Sequence, residues 1–173
     1  MRLEGRRYAI LVDEGVEDLE YWVTLMRLRE EGADVVSVGR DTEPRLGKHG
    51  LGVRADVTAS EVAADDVDGL VIPGGWAPDK LRRDPAVIGL TRACAERGRI
   101  VGIICHGGLV AISAGIVQGA RATGSLGIRD DLVNAGATWV DAAAFRDGNI
   151  VWGRVVADIP AFCRELVEAF ATT

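Results

Sequence analysis

At 173 residues, with 48% hydrophobic and 27% charged residues and a net charge of −6, the chain has the makeup of one globular domain with a full core. Its arginines are scattered rather than gathered in a stripe, which argues against nucleic acid or an anionic membrane surface as a partner. Met1 to Arg7 is too charged for an export signal, no apolar run approaches the ~18 residues that span a bilayer, and Cys94, Cys105 and Cys163 are too scattered for a disulfide framework. A reduced, cytoplasmic protein is expected. With only His49 and His106 present, a zinc site is not.

Tyr8 to Val12 is an unbroken apolar run, the pattern of a strand buried on both faces in a parallel sheet. Leu19, Trp22, Val23 and Met26 follow at the spacing of one helix face, with Gly32 as the stop signal. Asp34 to Val38 reads as a second strand. Residues 40–58, broken by Pro44, Gly47, Gly50 and Gly52, read as loop plus a short hairpin or edge strand over Leu51 to Val57. Gly69 to Ile72 is the next strand, stopped by Pro73, Gly74 and Gly75.

Asp84 and Pro85 then supply an N-cap and a first helical residue for a helix to about Arg97. Arg99 to Ile104 is the third parallel strand, Gly107 to Gly115 a helix, and Arg129 to Ala135 another. Trp139 to Val156 reads as a hairpin about Asp147-Gly148. The last helix starts near Asp158 and turns Phe162, Leu166 and Phe170 to the core. The alternation predicts a single α/β domain, residues 1–173, with a mainly parallel sheet. Ligands bind such sheets at the carboxyl ends of strands. Attention therefore falls on the loops after Val12, Ile72 and Ile104.

Cys105 stands between a strand end and a helix start, where unpaired N–H groups and the helix dipole favour a thiolate. Gly107 and Gly108 permit a sharp turn of the kind that presents a nucleophile. The competing reading is a small core cysteine; the strand–Cys–His–Gly–Gly context favours the nucleophile. His106 is the histidine placed to act as base, or else to cap the helix, while His49 in its glycine-flanked turn reads as a surface residue. The first loop, DEGVEDLE, holds five acids in eight residues. Glu17 is either part of an acidic first turn or a desolvated carboxyl reaching Cys105. In the second loop, PGGWAPDK, Gly74 and Gly75 offer backbone N–H groups for an oxyanion hole. Asp79 is either a helix cap or the residue that orients a histidine, and Trp76 lines the site or an interface.

The blocks EDLE, LREEGADV, GKHG, LVIPGGWAPDKLR, IICHG, GIRDDLVNAGATWVD and ADIPAF, in that order over nearly the full length, resemble the PfpI-type cysteine peptidases of the ThiJ/PfpI superfamily. The resemblance implies a flavodoxin-like three-layer sandwich with a nucleophile elbow. It also implies Cys105 as nucleophile with His106 as adjacent base, Glu17 as the carboxyl beside the thiol, and an oxyanion hole from the N–H groups of Gly75 and His106. Asp79 falls where relatives carry an acid that completes the triad from a neighbouring subunit, which implies a homo-oligomer, a dimer or a larger ring. Gly74, Trp76, Gly107 and Ser125 would line the substrate pocket. The chain departs from the pattern at Gly108 and Leu109, where relatives have Pro and Gln or Trp. It departs again over Trp152, Gly153, Arg154, Val155 and Val156, where a hydroxyl pair and a proline are missing, and at Ser125, where some relatives have tyrosine. The later His-x-Glu pair that glutamine amidotransferases of this fold need is absent.

Three functions follow. A cysteine-dependent hydrolase would act on a small acyl substrate or short peptide. The same thiol would otherwise add to a reactive carbonyl such as methylglyoxal, a glyoxalase III- or deglycase-like reaction without metal or cofactor; isonitrile hydration is a further chemistry. An accessible, readily oxidised Cys105 would also serve a stress sensor that is not an enzyme, although Cys94 and Cys163, in predicted helices away from the site, are poor resolving partners.

Overall fold

The computed structural model describes residues 1–172; Thr173, the last residue of the expected 1–173 domain, lies outside the described residues. In chain order the elements are β1 (Arg7–Leu11), α1 (Asp18–Glu30), β2 (Asp34–Gly39), β3 (Arg45–Leu46), β4 (Gly52–Val53), β5 (Val57–Thr58) and β6 (Gly69–Ile72). They continue with α2 (Ala77–Leu81), α3 (Pro85–Glu96), β7 (Ile100–Ile104), α4 (Gly108–Ala114), β8 (Arg121–Ala122) and α5 (Arg129–Asn134). The chain closes with β9 (Thr138–Trp139), β10 (Ala144–Asp147), β11 (Ile150–Gly153) and α6 (Ile159–Ala171). The expected elements are present, and α2, β8 and β9 are additions too short to leave a periodic signal.

Among the described residues, seven strands form one sheet in the order β10-β11-β7-β6-β1-β2-β5, parallel throughout except for β10. This is the mostly parallel α/β architecture expected. Helices α1 and α6 pack together on one side of the sheet, while α3 and α4 pack together on the other. The inner strands β1, β6 and β7 are buried nearly end to end, which is why they read as continuous apolar runs. The hairpin about Asp147-Gly148 is confirmed as β10–β11, but it begins at Ala144 because Thr138–Trp139 pairs instead with β8 in a separate small sheet.

Helix α6 lies on the sheet through Phe162, Leu166 and Phe170, all buried. The sheet makes room for it with glycines. A Cβ at Gly102 of β7 would come within 2.5 Å of Leu166, and one at Gly153 of β11 within 2.8 Å of Phe162. Gly153 is thus a packing requirement of this chain, not a loss from the site. The ring of Tyr8 on β1 stacks on Phe170 with centroids 3.9 Å apart.

Helix α1 corrects the sequence reading. Of the predicted stripe, Leu19, Val23 and Met26 face outward, 48%, 39% and 59% exposed, and Trp22 is half-buried against the core, while the buried face carries Tyr21, Thr24, Leu25 and Leu28 together with Asp18 and Glu20. Both stripes have helical spacing. What selects between them is the helix entry, where Glu17 N–H donates to Gly74 O (3.1 Å) and the Glu20 carboxylate accepts from Gly74 N–H (2.7 Å).

Candidate active site

Strand β1 runs out to its neighbour β2 and the chain returns to the other side of β1 as β6, so a crevice opens between the carboxyl ends of β1 and β6. The loops after β1, β6 and β7 meet there. Cys105 follows β7 directly, in a single 3₁₀ turn, Cys105–Gly107, that leads into α4. Its φ is 58°, the only positive value outside glycine among the described residues. Such a left-handed residue costs on the order of 1–3 kcal/mol and persists only where its surroundings hold it. Here Gly107 permits the turn to press against β6: a Cβ at residue 107 would sit 2.3 Å from Ile72 O. The predicted elbow is present.

Several groups close on the sulfur. The backbone N–H groups of His106 and Gly75 and the buried Glu20 carboxyl are the groups beside the thiol that act on it electrostatically. His106 Nδ1 lies 3.4 Å from Sγ. Gly75 and His106 are the residues whose N–H groups the resemblance implies for an oxyanion hole. Gly75 sits at φ 79°, locked by a bridge to Val16, and a Cβ there would strike Glu17 N at 2.3 Å. At Gly74 a Cβ would lie 2.7 Å from Glu20 Oε2 and 2.8 Å from Cys105 Cβ. Gly74 and Gly107 are therefore the floor on which the elbow is built, and the cavity wall is made by others.

The carboxyl beside the thiol is Glu20, not Glu17. Glu17 is the residue just before α1 and Glu20 lies three residues on, one turn deeper and fully buried, whereas Glu17 stands at the cavity wall. Glu17 Oε1 lies 3.1 Å from His49 Nε2, and Oε2 lies 3.7 Å from Lys48 Nζ. His49 is exposed as expected, yet it belongs to the site through Glu17. Its loop is pinned by Asp18, whose buried carboxylate accepts the N–H groups of His49 (2.7 Å) and Leu51 (2.9 Å). Lys48 also lies over the ring of Trp76, 5.6 Å from its centroid, so the two form a rim.

The electrostatics differ from a simple dipole-activated thiol. Burial, and secondly the charge of Glu20, push Cys105 up to about 12. Burial pushes Glu20 up to about 7, against the opposing pull of the Gly74 hydrogen bond. The dipole of a short helix does not outweigh desolvation beside a carboxylate. Glu20 and Cys105 are best described as one site holding one negative charge between them: ionised carboxylate with thiol, or neutral carboxyl donating to thiolate. Burial, then Lys48, lowers His106, which leaves the imidazole neutral and able to accept a proton at pH 7.

A cavity of 320 Å³ lies over the sulfur. Its walls include Glu17, Lys48, Trp76, His106, Ser125 and Val156. Trp76 and Ser125 stand where expected, Trp76 59% exposed at the mouth. Leu109 is only partly buried and packs against the core, and a Cβ at Gly108 would meet the tip of the Ile128 side chain at 2.8 Å, so a larger residue there needs that side chain to shift. Trp152 is fully buried in β11 and takes no part. Asp79 is outside the cavity: exposed on α2, it is paired with Arg83 and does not meet His106 within the chain. Lys48 and Glu20 were the residues missed. Glu20 had a signal, an acid at i+3 from Glu17 just ahead of a core face.

A parallel sheet ending in a strained cysteine turn, with a buried carboxyl beside the thiol, defines a cysteine-centred α/β protein. The chain belongs to the DJ-1/PfpI family, whose pattern it matches over residues 6–169. It is 42% identical over 159 residues to a protein named a deglycase from Thermococcus kodakarensis, covering 92% of this chain and 96% of that one. Identity is 35% over 164 residues to general stress protein 18 of Bacillus subtilis, covering 93% and 95%. In three dimensions it is similar to a two-domain protein of Anabaena variabilis with DJ-1/ThiJ/PfpI-like and ferritin-like domains, at a TM-score of 0.93 and 37% identity. The match covers 94% of this chain and 47% of that one, so the chain spans about half of the two-domain protein.

Proposed function

We propose that the chain is a cytoplasmic, Cys105-dependent enzyme acting on reactive dicarbonyls and their amine adducts, a deglycase- or glyoxalase III-like reaction. The observation that carries this reading is the convergence of thiol, Glu20 carboxyl and two backbone N–H groups under a 320 Å³ cavity. A cavity of that size admits a small carbonyl or a short peptide end, not a folded chain. The deglycase name of the Thermococcus kodakarensis relative supports it.

With Glu20 protonated, the thiolate adds to the aldehyde carbon of methylglyoxal, forming a C–S bond. The resulting alkoxide is held by the N–H groups of Gly75 and His106 and takes up a proton. Neutral His106, or Glu17 at the wall, removes the proton from that carbon and returns it to the adjacent one, while the hydroxyl proton passes from the first oxygen to the second. The hemithioacetal thereby becomes a thioester: one carbon is oxidised as its neighbour is reduced, and no external oxidant is needed. Water then adds to the thioester, the C–S bond breaks, lactate leaves and the thiol regains its proton. With an amine adduct, the amine departs as an additional leaving group.

The reading includes a homo-oligomer in which Asp79 of a second copy completes His106. Two features support it: Asp79 is exposed on α2, and His106 Nε2 faces exposed Gly127, where a Cβ would lie 3.5 Å away.

The test is lactate formation from methylglyoxal by wild type and Cys105→Ala, with a fluorogenic peptide assayed in parallel. Cys105→Ala is expected to keep its fold and lower lactate formation by at least about 1,000-fold, the loss typical of removing a nucleophile. Cys105-dependent peptide cleavage without lactate would replace the proposal with a hydrolase. Silence in both assays would overturn it in favour of redox sensing.

A further inference from the structure

A second cavity, of 380 Å³, shares no lining residue with the one over Cys105 and is walled by Tyr21, Trp22, Leu25 and Arg29 of α1 together with Arg45 and Arg54. In a chain of net charge −6, this cleft gathers Arg29, Arg45 and Arg54 around one space. Arg45 is paired with Asp41 at 2.7 Å through Nη2. Arg29 and Arg54 are held only by backbone carbonyls, Val35 O at 3.4 Å and Thr42 O at 2.8 Å, so among the described residues neither guanidinium is neutralised by a carboxylate. Asp56 is the acid in the lining, and it already accepts Ser37 N–H at 2.8 Å.

Two buried donors in the same wall, Trp22 Nε1 and Arg45 Nε, have no partner among the described residues. These two atoms lie behind the wall, closed off from solvent, so the groups that make the cleft suited to an acceptor-rich guest are the unneutralised guanidiniums of Arg29 and Arg54. The remaining wall is aromatic and aliphatic. Tyr21 and Trp22 meet edge to face with centroids 5.0 Å apart, flanked by Leu25, Pro44 and Val53.

We propose that this cleft is a second ligand site, separate from the elbow, for a small molecule carrying a phosphate-type dianion on an apolar or aromatic body. Two guanidinium groups without a carboxylate partner on the lining of one cleft suit a dianion better than a lone carboxylate. The Tyr21–Trp22 wall then takes the body of the ligand. The site does not depend on the chemistry at Cys105.

The experiment is calorimetric titration of the intact chain with phenyl phosphate and with inorganic phosphate, alongside the Trp22 indole N–H resonance, assigned by its loss in Trp22→Phe. Saturable binding is expected, tighter for phenyl phosphate, with the Trp22 resonance shifting during the titration. Arg29→Gln and Arg54→Gln should each weaken it about tenfold, the loss expected for one charge-assisted contact. Both side chains are exposed, and an unshifted Trp22 resonance in the unliganded variants reports an intact cleft. Lys48→Gln, at the rim over Cys105, should leave binding unchanged. No saturable binding of phenyl phosphate up to about 10 mM, an affinity too weak to be specific, would overturn the proposal. Binding kept in both arginine variants, or lost in Lys48→Gln, would do the same.

Discussion

Helices α1 and α6 lie side by side on one face of the sheet and are equally long at 13 residues, yet they obey opposite rules. In α6 the apolar stripe is the buried stripe, and Phe162, Leu166 and Phe170 fill spaces that strand glycines leave open. In α1 an apolar stripe points to solvent while Asp18 and Glu20 are buried. The difference is one of task. Helix α6 only covers the sheet, so hydrophobic burial sets its rotation. Helix α1 begins at the carboxyl ends of β1 and β6, and hydrogen bonds from Gly74 and from the loop 47–51 set its rotation instead.

The contrast can be tested from its strongest consequence to its weakest. Phe162→Ala should cost about 3–5 kcal/mol in denaturant unfolding, because the aromatic ring is fully buried against Gly153. An effect under 1 kcal/mol would show that α6 is not anchored by its stripe.

Glu20→Gln should move stability the other way at alkaline pH. The folded-state pKa of Glu20 is raised to about 7, so the native chain holds a proton that the unfolded chain gives up earlier. Native stability from this group is therefore full at low pH and falls as pH rises through about 7. Removing the ionisable group should stabilise the chain at pH 8 by up to about 3 kcal/mol, and by little at pH 4. The same variant should lose the rise in Cys105 alkylation through about pH 7 that the shared proton imposes. A wild-type alkylation profile without that rise would disprove the shared charge.

Asp18→Ala should cost about 1–3 kcal/mol by leaving the His49 and Leu51 N–H groups without their acceptor. Faster hydrogen exchange confined to residues 47–51 is the accompanying sign. Met26→Ser, on the outward stripe, should change the unfolding free energy of the isolated chain by less than about 0.5 kcal/mol. A larger loss that depends on protein concentration would place this stripe in a subunit contact.

Much of this was legible beforehand because it rests on local rules. Asp84 caps α3, accepting Ala86 N–H at 2.7 Å, with Pro85 at the first position as read. The Cys105 elbow was legible because an apolar run ending in Cys-His-Gly-Gly has few other conformations. The choice between Glu17 and Glu20 was not. They are three residues apart at the start of α1, and only the depth of α1 in the crevice decides which carboxyl reaches the sulfur. Nor was the direction of the Cys105 shift, since local helix dipole and long-range burial oppose each other and only the packed site shows that burial wins.

The sequence by itself determined the alternation of strands and helices, the parallel sheet and the position of the Cys105 elbow, because periodicity, caps and turn residues act over a few residues. Tertiary structure decided the rotation of α1, the pairing of Glu17 with His49, the exclusion of Asp79 from the cavity and the assembly of the arginine cleft. Those depend on how elements distant in sequence approach one another, where burial and charge are settled by packing rather than by spacing.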